Sequence, residues 1–211
     1  RPAAYARIDV QHLENADATR EGLSAALTRL ARTVQVNDAL LIYLAGHGIA
    51  NDDGAYTYVT SNATTEAGIA DQGLNGADLL RQIAEIPARN RFLFLDTCYS
   101  GAFNMKGSDK LAHEGGFLVL TAASSLQPAL DSYDGRNGTL AFAIREKLAE
   151  GAARSGPPVD ALELGLFARS EVGRLAADRK WQQNASFKTS GGDLEEFPIA
   201  EIRAIGQTAG Q

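Results

Sequence analysis

Three almost uninterrupted apolar runs mark out the chain: "ALLIYLAG" (39–46), "NRFLFLDTC" (90–98) and "GFLVLTAAS" (116–124). A strand with no polar face predicts burial on both sides, as in a parallel sheet covered by helices. Two shorter stretches, "YARIDV" (5–10) and "AYTYVT" (55–60), predict further strands. Helical spacing fills the intervals. "DATREGLSAALTRLARTV" (17–34) starts at Asp17 or Thr19 and repeats apolar residues at Leu23, Ala26, Leu27, Leu30 and Ala31. "LNGADLLRQIAEIPA" (74–88) predicts a helix that stops near Pro87. "GTLAFAIREKLAEG" (138–151) and "VDALELGLFARSEVGRLAADR" (159–179) predict two more, separated by "SGPP" (155–158). Strands alternating with helices imply one α/β domain, with a mostly parallel central sheet and helices on both faces.

In such a sheet, ligands bind beyond the carboxyl ends of the strands. The run 39–46 leads into "GHG", which puts His47 at one strand end, and the run 90–98 ends on Cys98. If the strands are parallel neighbours, imidazole and thiol emerge on the same rim. The chemistry of that pair is specific. A thiol becomes a strong nucleophile once an adjacent base takes its proton, and the same base can return a proton to a leaving amine. Attack on a carbonyl also needs donors for the developing oxyanion. The N–H groups of Gly48 and Cys98 are the natural candidates, and Gly48 carries no side chain to obstruct a substrate. Each residue alone reads more readily as structural; the pair at two strand ends beside glycines favours catalysis. His12 and His113 lack this setting and read as surface residues.

Composition narrows the classes. The 211 residues carry a net charge of -6 with pI about 5.1, which argues against a nucleic-acid surface. No apolar run has membrane-spanning length, and "RPAAYARIDV" lacks the apolar core of a secretory signal, so a cytoplasmic location is expected. A single cysteine excludes an internal disulfide and a cysteine-rich zinc site. A tyrosine-phosphatase loop needs Arg six positions after its cysteine, where this chain has Asn104. Neither a G-x-S-x-G elbow nor a P-loop is present.

"LLIYLAGHG" together with "FLFLDTCYSG" resembles the caspase-like cysteine peptidases, and more the metacaspases and their bacterial relatives than the animal caspases. Cys98 follows His47 by 51 positions (98 − 47), close to the roughly 50 that is a known property of caspases. "DATREGLSAALTRL", "TAASSLQPALD" (121–131) and "WQQNASF" (181–187) extend the resemblance over nearly the whole chain. The last is similar to a Q-x-P region, without its proline. The resemblance implies His47 as general base and acid, Cys98 as nucleophile, and oxyanion donors at Gly48 and Cys98. It implies Asp96 at the floor of the S1 pocket, where a carboxylate would pair with Arg or Lys of a protein substrate, and Asp131 beside the substrate groove. A carboxylate that caps backbone N–H groups is the alternative for Asp96. The implied division is a large-subunit-like part, about 1–105, and a small-subunit-like part, about 115–211.

Four further expectations follow. The family's sheet contains a first strand, lying between the strand matching 5–10 and the strand ending at His47. No segment here matches it, so the sequence reads as part of a longer protein whose other segment is a partner. Calcium, used by many metacaspases, is not expected: "NDDG" (51–54) and "DSYDG" (131–135) read as turns, and no cofactor is called for. The polar segment "NMKGSDKLAHEGG" (104–116) predicts an exposed loop, with Lys106 and Lys110 as candidate self-cleavage sites. Finally, a catalytically idle caspase-fold scaffold that binds other proteins is the alternative to an active peptidase.

Overall fold

The computed structural model describes residues 5–106, 115–153, 157–192, 194 and 196–200. In chain order the elements are α1 (Arg20–Thr33), β1 (Ala39–Ala50), β2 (Tyr56–Val59), α2 (Glu66–Gln72), β3 (Leu74–Asn75), α3 (Gly76–Ala84), β4 (Asn90–Thr97), β5 (Gly116–Thr121), α4 (Thr139–Ala153), β6 (Val159–Asp160), α5 (Ala161–Asp178), β7 (Ser186–Ser190) and β8 (Pro198–Ala200). Thr19 caps α1, its side chain accepting the N–H of Gly22 at 3.0 Å, as the Thr19 start predicts. The main sheet has the order β3-β2-β1-β4-β5-β7. Its centre, β1-β4-β5, is parallel, and β2 and β7 join it antiparallel. β6 and β8 form a separate two-stranded ribbon.

Period-two alternation divides the core between the two faces. Leu93, Leu95, Phe117 and Val119 point to one side, where Leu27 of α1 and Leu79 and Ile83 of α3 cover them. Phe92, Phe94, Leu118 and Leu120 point to the other, under Leu140 of α4 and Leu164 and Val172 of α5. β4 and β5 therefore justify the expectation of strands buried on both faces.

β1 does not. Leu40 and Leu44 enter the first core, but Leu41 (46% exposed) and Tyr43 (39%) lie on the opposite side and are only partly covered. The helices α4 and α5 pack over β4 and β5 and leave that face of β1 uncovered. One edge of β1 is open as well. Over residues 39–46 its only strand partner among the described residues is β4, and β2 joins only from His47 onward. The resemblance places a first strand along that edge.

The predicted strand 5–10 is also corrected. Residues 5–10 form no ladder, and Ile8 (75%) and Val10 (69%) are exposed. Alternating apolar residues make a strand only where a neighbouring strand accepts their main-chain hydrogen bonds, and none among the described residues lies beside them. Tyr5 at the start of this segment is anchored instead to β8, its hydroxyl donating to the carbonyl of Pro198 and its ring packing on Phe197. α2, β7 and β8 were not predicted, and the predicted helix 74–88 shortens to Gly76–Ala84.

The open edge makes a testable prediction. Alternate amides of residues 39–46, those facing away from β4, are expected to exchange with solvent orders of magnitude faster than the amides of β4. Hydrogen exchange resolved by NMR measures this; equal protection of both strands would contradict the open edge.

Candidate active site

β4 runs apolar to Leu95 and then carries Asp96, Thr97 and Cys98 to the rim. By alternation Asp96 and Cys98 lie on the face of Phe92 and Phe94. Thr97 turns to the other face, where its Oγ1 lies 2.8 Å from the hydroxyl of Tyr56. The chain breaks direction sharply after Cys98. Tyr99 adopts left-handed backbone angles (φ 54°), uncommon for a non-glycine residue. The turn is held by bonds to the segment that follows β5: Tyr99 N–H donates to Gln127 O at 2.9 Å, Gly101 N–H to Ala123 O at 2.9 Å, and Ala123 N–H to Ser100 Oγ at 3.1 Å. A side chain on Gly101 would lie 2.7 Å from the backbone of Ser124. Cys98 is thus fixed at a strand end by hydrogen bonds and close packing together.

β1 brings the imidazole to the same place. The parallel register pairs Ala45 with Asp96 and, as its last pair, Gly46 with Thr97, so His47 and Cys98 are each the next residue after the ladder. At Gly46 (φ +138°) β1 leaves β4 and enters the ladder with β2, beginning at His47↔Val59. The strand therefore runs past His47 to Ala50 instead of ending there. His47 is exposed and makes no side-chain hydrogen bond among the described residues. The thiol of Cys98 sits against the loop after β5: Ala129 N–H donates to Sγ at 3.3 Å, and Ala129 O lies 3.7 Å from it. Ala129 is held in turn by its neighbour. Leu130 N–H donates to the side-chain oxygen of Gln183 at 2.9 Å, while the amide nitrogen of Gln183 donates to Ala122 O at 2.9 Å. Gln183 is only 2% exposed and lies in the "WQQNASF" segment.

Gly48 is glycine for a reason different from the expected one. A Cβ there would meet Cys98 O at 2.6 Å, Thr97 Oγ1 at 2.7 Å and the Tyr56 ring at 2.8 Å. The space is taken by the end of β4, and the missing side chain lets the two strand ends approach each other; it does not clear a path for substrate.

Asp96 is nearly buried (9% exposed) beneath the first turn of α4. Its Oδ2 accepts the hydroxyl of Tyr43 at 2.6 Å and the N–H of Ala141 at 3.1 Å. Asp96 thus caps one backbone N–H, that of Ala141. Burial pushes the Asp96 carboxyl above its ordinary value; the bonds from Tyr43 and Ala141 oppose this, and the charge of Asp131 adds to it. Asp131 itself is exposed, in the loop that closes where Thr139 N–H donates to Leu130 O. The β1–β4 ladder thus ends one residue before both His47 and Cys98, and Asp131 stands near enough to Asp96 for its charge to be felt there. Lys106 is exposed at the start of the predicted loop, and Lys110 and His113 lie outside the described residues. His12 is exposed. Asp53 accepts the N–H of Ala55, as a turn residue does, and among the described residues no three His, Cys, Asp or Glu side chains cluster as metal ligands would. No described helix is long and apolar enough to cross a membrane.

A family model described as the caspase domain matches residues 5–190. The chain belongs to the caspase-domain family. No curated protein matches this caspase domain by sequence. Among solved structures it is similar to the protein GSU0716 from Geobacter sulfurreducens, at a TM-score of 0.60 and 16% identity, covering 91% of this chain and 83% of that one. It is also similar to Caspase-1 from Spodoptera frugiperda, at a TM-score of 0.52 and 15% identity, covering 88% and 71%. At these identities the likeness is one of fold: a central, mostly parallel sheet flanked by helices. Tyr43, Ala129 and Gln183 escaped sequence reasoning. All three lie in segments already singled out, "LLIYLAGHG", "TAASSLQPALD" and "WQQNASF", but nothing in those segments marked the individual residues.

Proposed function

We propose that this caspase domain is a cysteine endopeptidase that cleaves after Arg or Lys. The observation that supports it best is the parallel β1–β4 register, which ends one residue before both His47 and Cys98, with Asp96 buried two residues before the thiol. In the reaction, His47 takes the Cys98 proton and the thiolate attacks the substrate carbonyl carbon. The tetrahedral oxyanion is met by the N–H groups of Gly48 and Cys98. His47 then gives the proton to the leaving amine, which departs and leaves a thioester on Cys98. Water, deprotonated by His47, hydrolyses the thioester and restores the thiol. Asp96, with Asp131 nearby, pairs with the cationic P1 side chain. No cofactor takes part in these steps. The open edge of β1 takes one more strand from a further segment of the same protein, and that strand, with whatever follows it, covers Leu41 and Tyr43.

A peptide chloromethyl ketone with P1 Arg tests the reading. It is expected to alkylate Cys98, found by peptide mass mapping, with much slower labelling by a P1 Asp analogue and none in His47→Ala. Absence of labelling in the protein with its further segment present would indicate the idle scaffold. Preferential labelling by P1 Asp would overturn the pocket assignment.

A further inference from the structure

The Asp96 carboxylate reaches the rim in one fixed orientation, and the group that fixes it comes from the neighbouring strand. Tyr43 lies on β1 four residues before His47, and its hydroxyl donates to Asp96 Oδ2 at 2.6 Å. Ala141 N–H, in the first turn of α4, donates to the same oxygen at 3.1 Å. Gly138 passes beside both carboxylate oxygens, and a Cβ there would lie 3.3 Å from each. We propose that Tyr43 is a positioning residue for substrate specificity, holding the Asp96 carboxylate for a guanidinium or ammonium group at P1. This rests on the reading of Asp96 as the S1 carboxylate.

Two donors on one oxygen stop the carboxylate from rotating, which a guanidinium needs if it is to be met in a fixed geometry. The phenol also acts on charge. The groups facing the carboxylate are the Tyr43 hydroxyl from β1, the first-turn amide of α4 and the Asp131 carboxylate from the preceding loop. Burial and Asp131 favour the neutral acid, while Tyr43 and Ala141 favour the anion that a cationic side chain requires. Tyr43 does not compete by ionising: burial and the adjacent Asp96 push its own ionisation to higher pH, so it stays a donor. A phenylalanine would keep the ring and remove only the donor.

The test is Tyr43→Phe, assayed with matched substrates carrying P1 Arg and P1 norleucine across pH, with the Asp96 carboxyl titrated in both proteins by 13C NMR. For P1 Arg, kcat/KM is expected to fall roughly tenfold to a hundredfold, the effect of losing one hydrogen bond to a charged group. KM should carry most of the change, the acid limb should move to higher pH, and the norleucine substrate should be cut as before. The Asp96 titration should move to higher pH in the same direction. Equal losses on both substrates with an unmoved acid limb would make Tyr43 a packing residue and overturn the proposal, as would an unmoved Asp96 titration. The wild-type comparison separates the two levels. If the wild type does not prefer P1 Arg over norleucine, the S1 reading of Asp96 fails and takes this proposal with it. If it does, and Tyr43→Phe behaves like wild type, only the role of Tyr43 fails.

Discussion

Cys98→Ala is expected to take peptidase activity on basic substrates below detection, a loss of roughly 10⁴-fold or more, while the fold is retained. The sulfur is the only atom removed, and the neighbours of Cys98 are held without it: Tyr99 by Gln127, Gly101 by Ala123 and Leu130 by Gln183. The bonds lost are the two weak contacts between Sγ and Ala129, so the thermal midpoint should shift by only a few degrees. His47→Ala is expected to lose nearly as much activity, because a base and its nucleophile act as a unit and their losses do not add. His47 is exposed, so its replacement should cost little stability. The check is kcat/KM on a P1 Arg peptide beside a melting curve for each variant. Mass spectrometry of the incubated wild type adds a second reading: fragments ending at Lys106 or Lys110, absent in Cys98→Ala, would mark self-cleavage. Substantial activity in Cys98→Ala would sink the assignment of the nucleophile.

Asp96→Asn is expected to separate function from stability, in opposite directions. Removing one partner of a buried charge pair costs roughly 2–5 kcal/mol of substrate interaction, or about 30-fold to 5,000-fold in kcat/KM for P1 Arg. Folding responds the other way. Burial raises the Asp96 pKa in the folded protein, so the neutral acid fits the site better than the anion. Its contribution to stability is present below the unfolded pKa, about 3.9, and is lost as pH rises through the raised folded value. At neutral pH the wild type carries the cost of a buried carboxylate, and Asn, neutral at every pH, does not. Asp96→Asn is thus expected to be at least as stable as wild type in denaturant at pH 7 to 8, with the advantage vanishing in acid. The same titration sets the activity profile: cleavage after Arg should fall as the pH drops through the Asp96 pKa, which burial holds above its ordinary value. A mutant that is less stable at neutral pH but unimpaired on basic substrates would show that Asp96 serves only as a cap for α4.

The parts of this protein that could be read from the sequence are those encoded by neighbours in the chain. The continuous apolar runs within 90–98 and 116–124 located β4 and β5, and the polar residues that end those runs located the rim. Thr19 before a helical repeat located the start of α1. The apolar runs that lead to His47 and Cys98 sufficed to predict two strands, and these pair in parallel as far as Gly46 and Thr97. The strand predicted at 5–10 failed because alternation records which residues could face a core, and not whether a neighbouring strand is there to accept the main-chain hydrogen bonds. The same gap explains β1: its residues read as buried on both faces, yet Leu41 and Tyr43 have no helix over them.

Sequence alone determined a parallel α/β domain, a thiol at a strand end, an imidazole at the end of an apolar run, and an acidic residue two positions before the thiol, because strand burial follows from the local run of apolar residues. Tertiary structure alone decided the environment of those groups. The Tyr43–Asp96 bond joins residues 53 apart, and the Gln183–Ala122 bond residues 61 apart. Gly48 is required by the carbonyl of Cys98 on another strand. Such contacts leave no periodic trace, since a single hydrogen bond or close approach between distant segments depends on where the whole chain has packed.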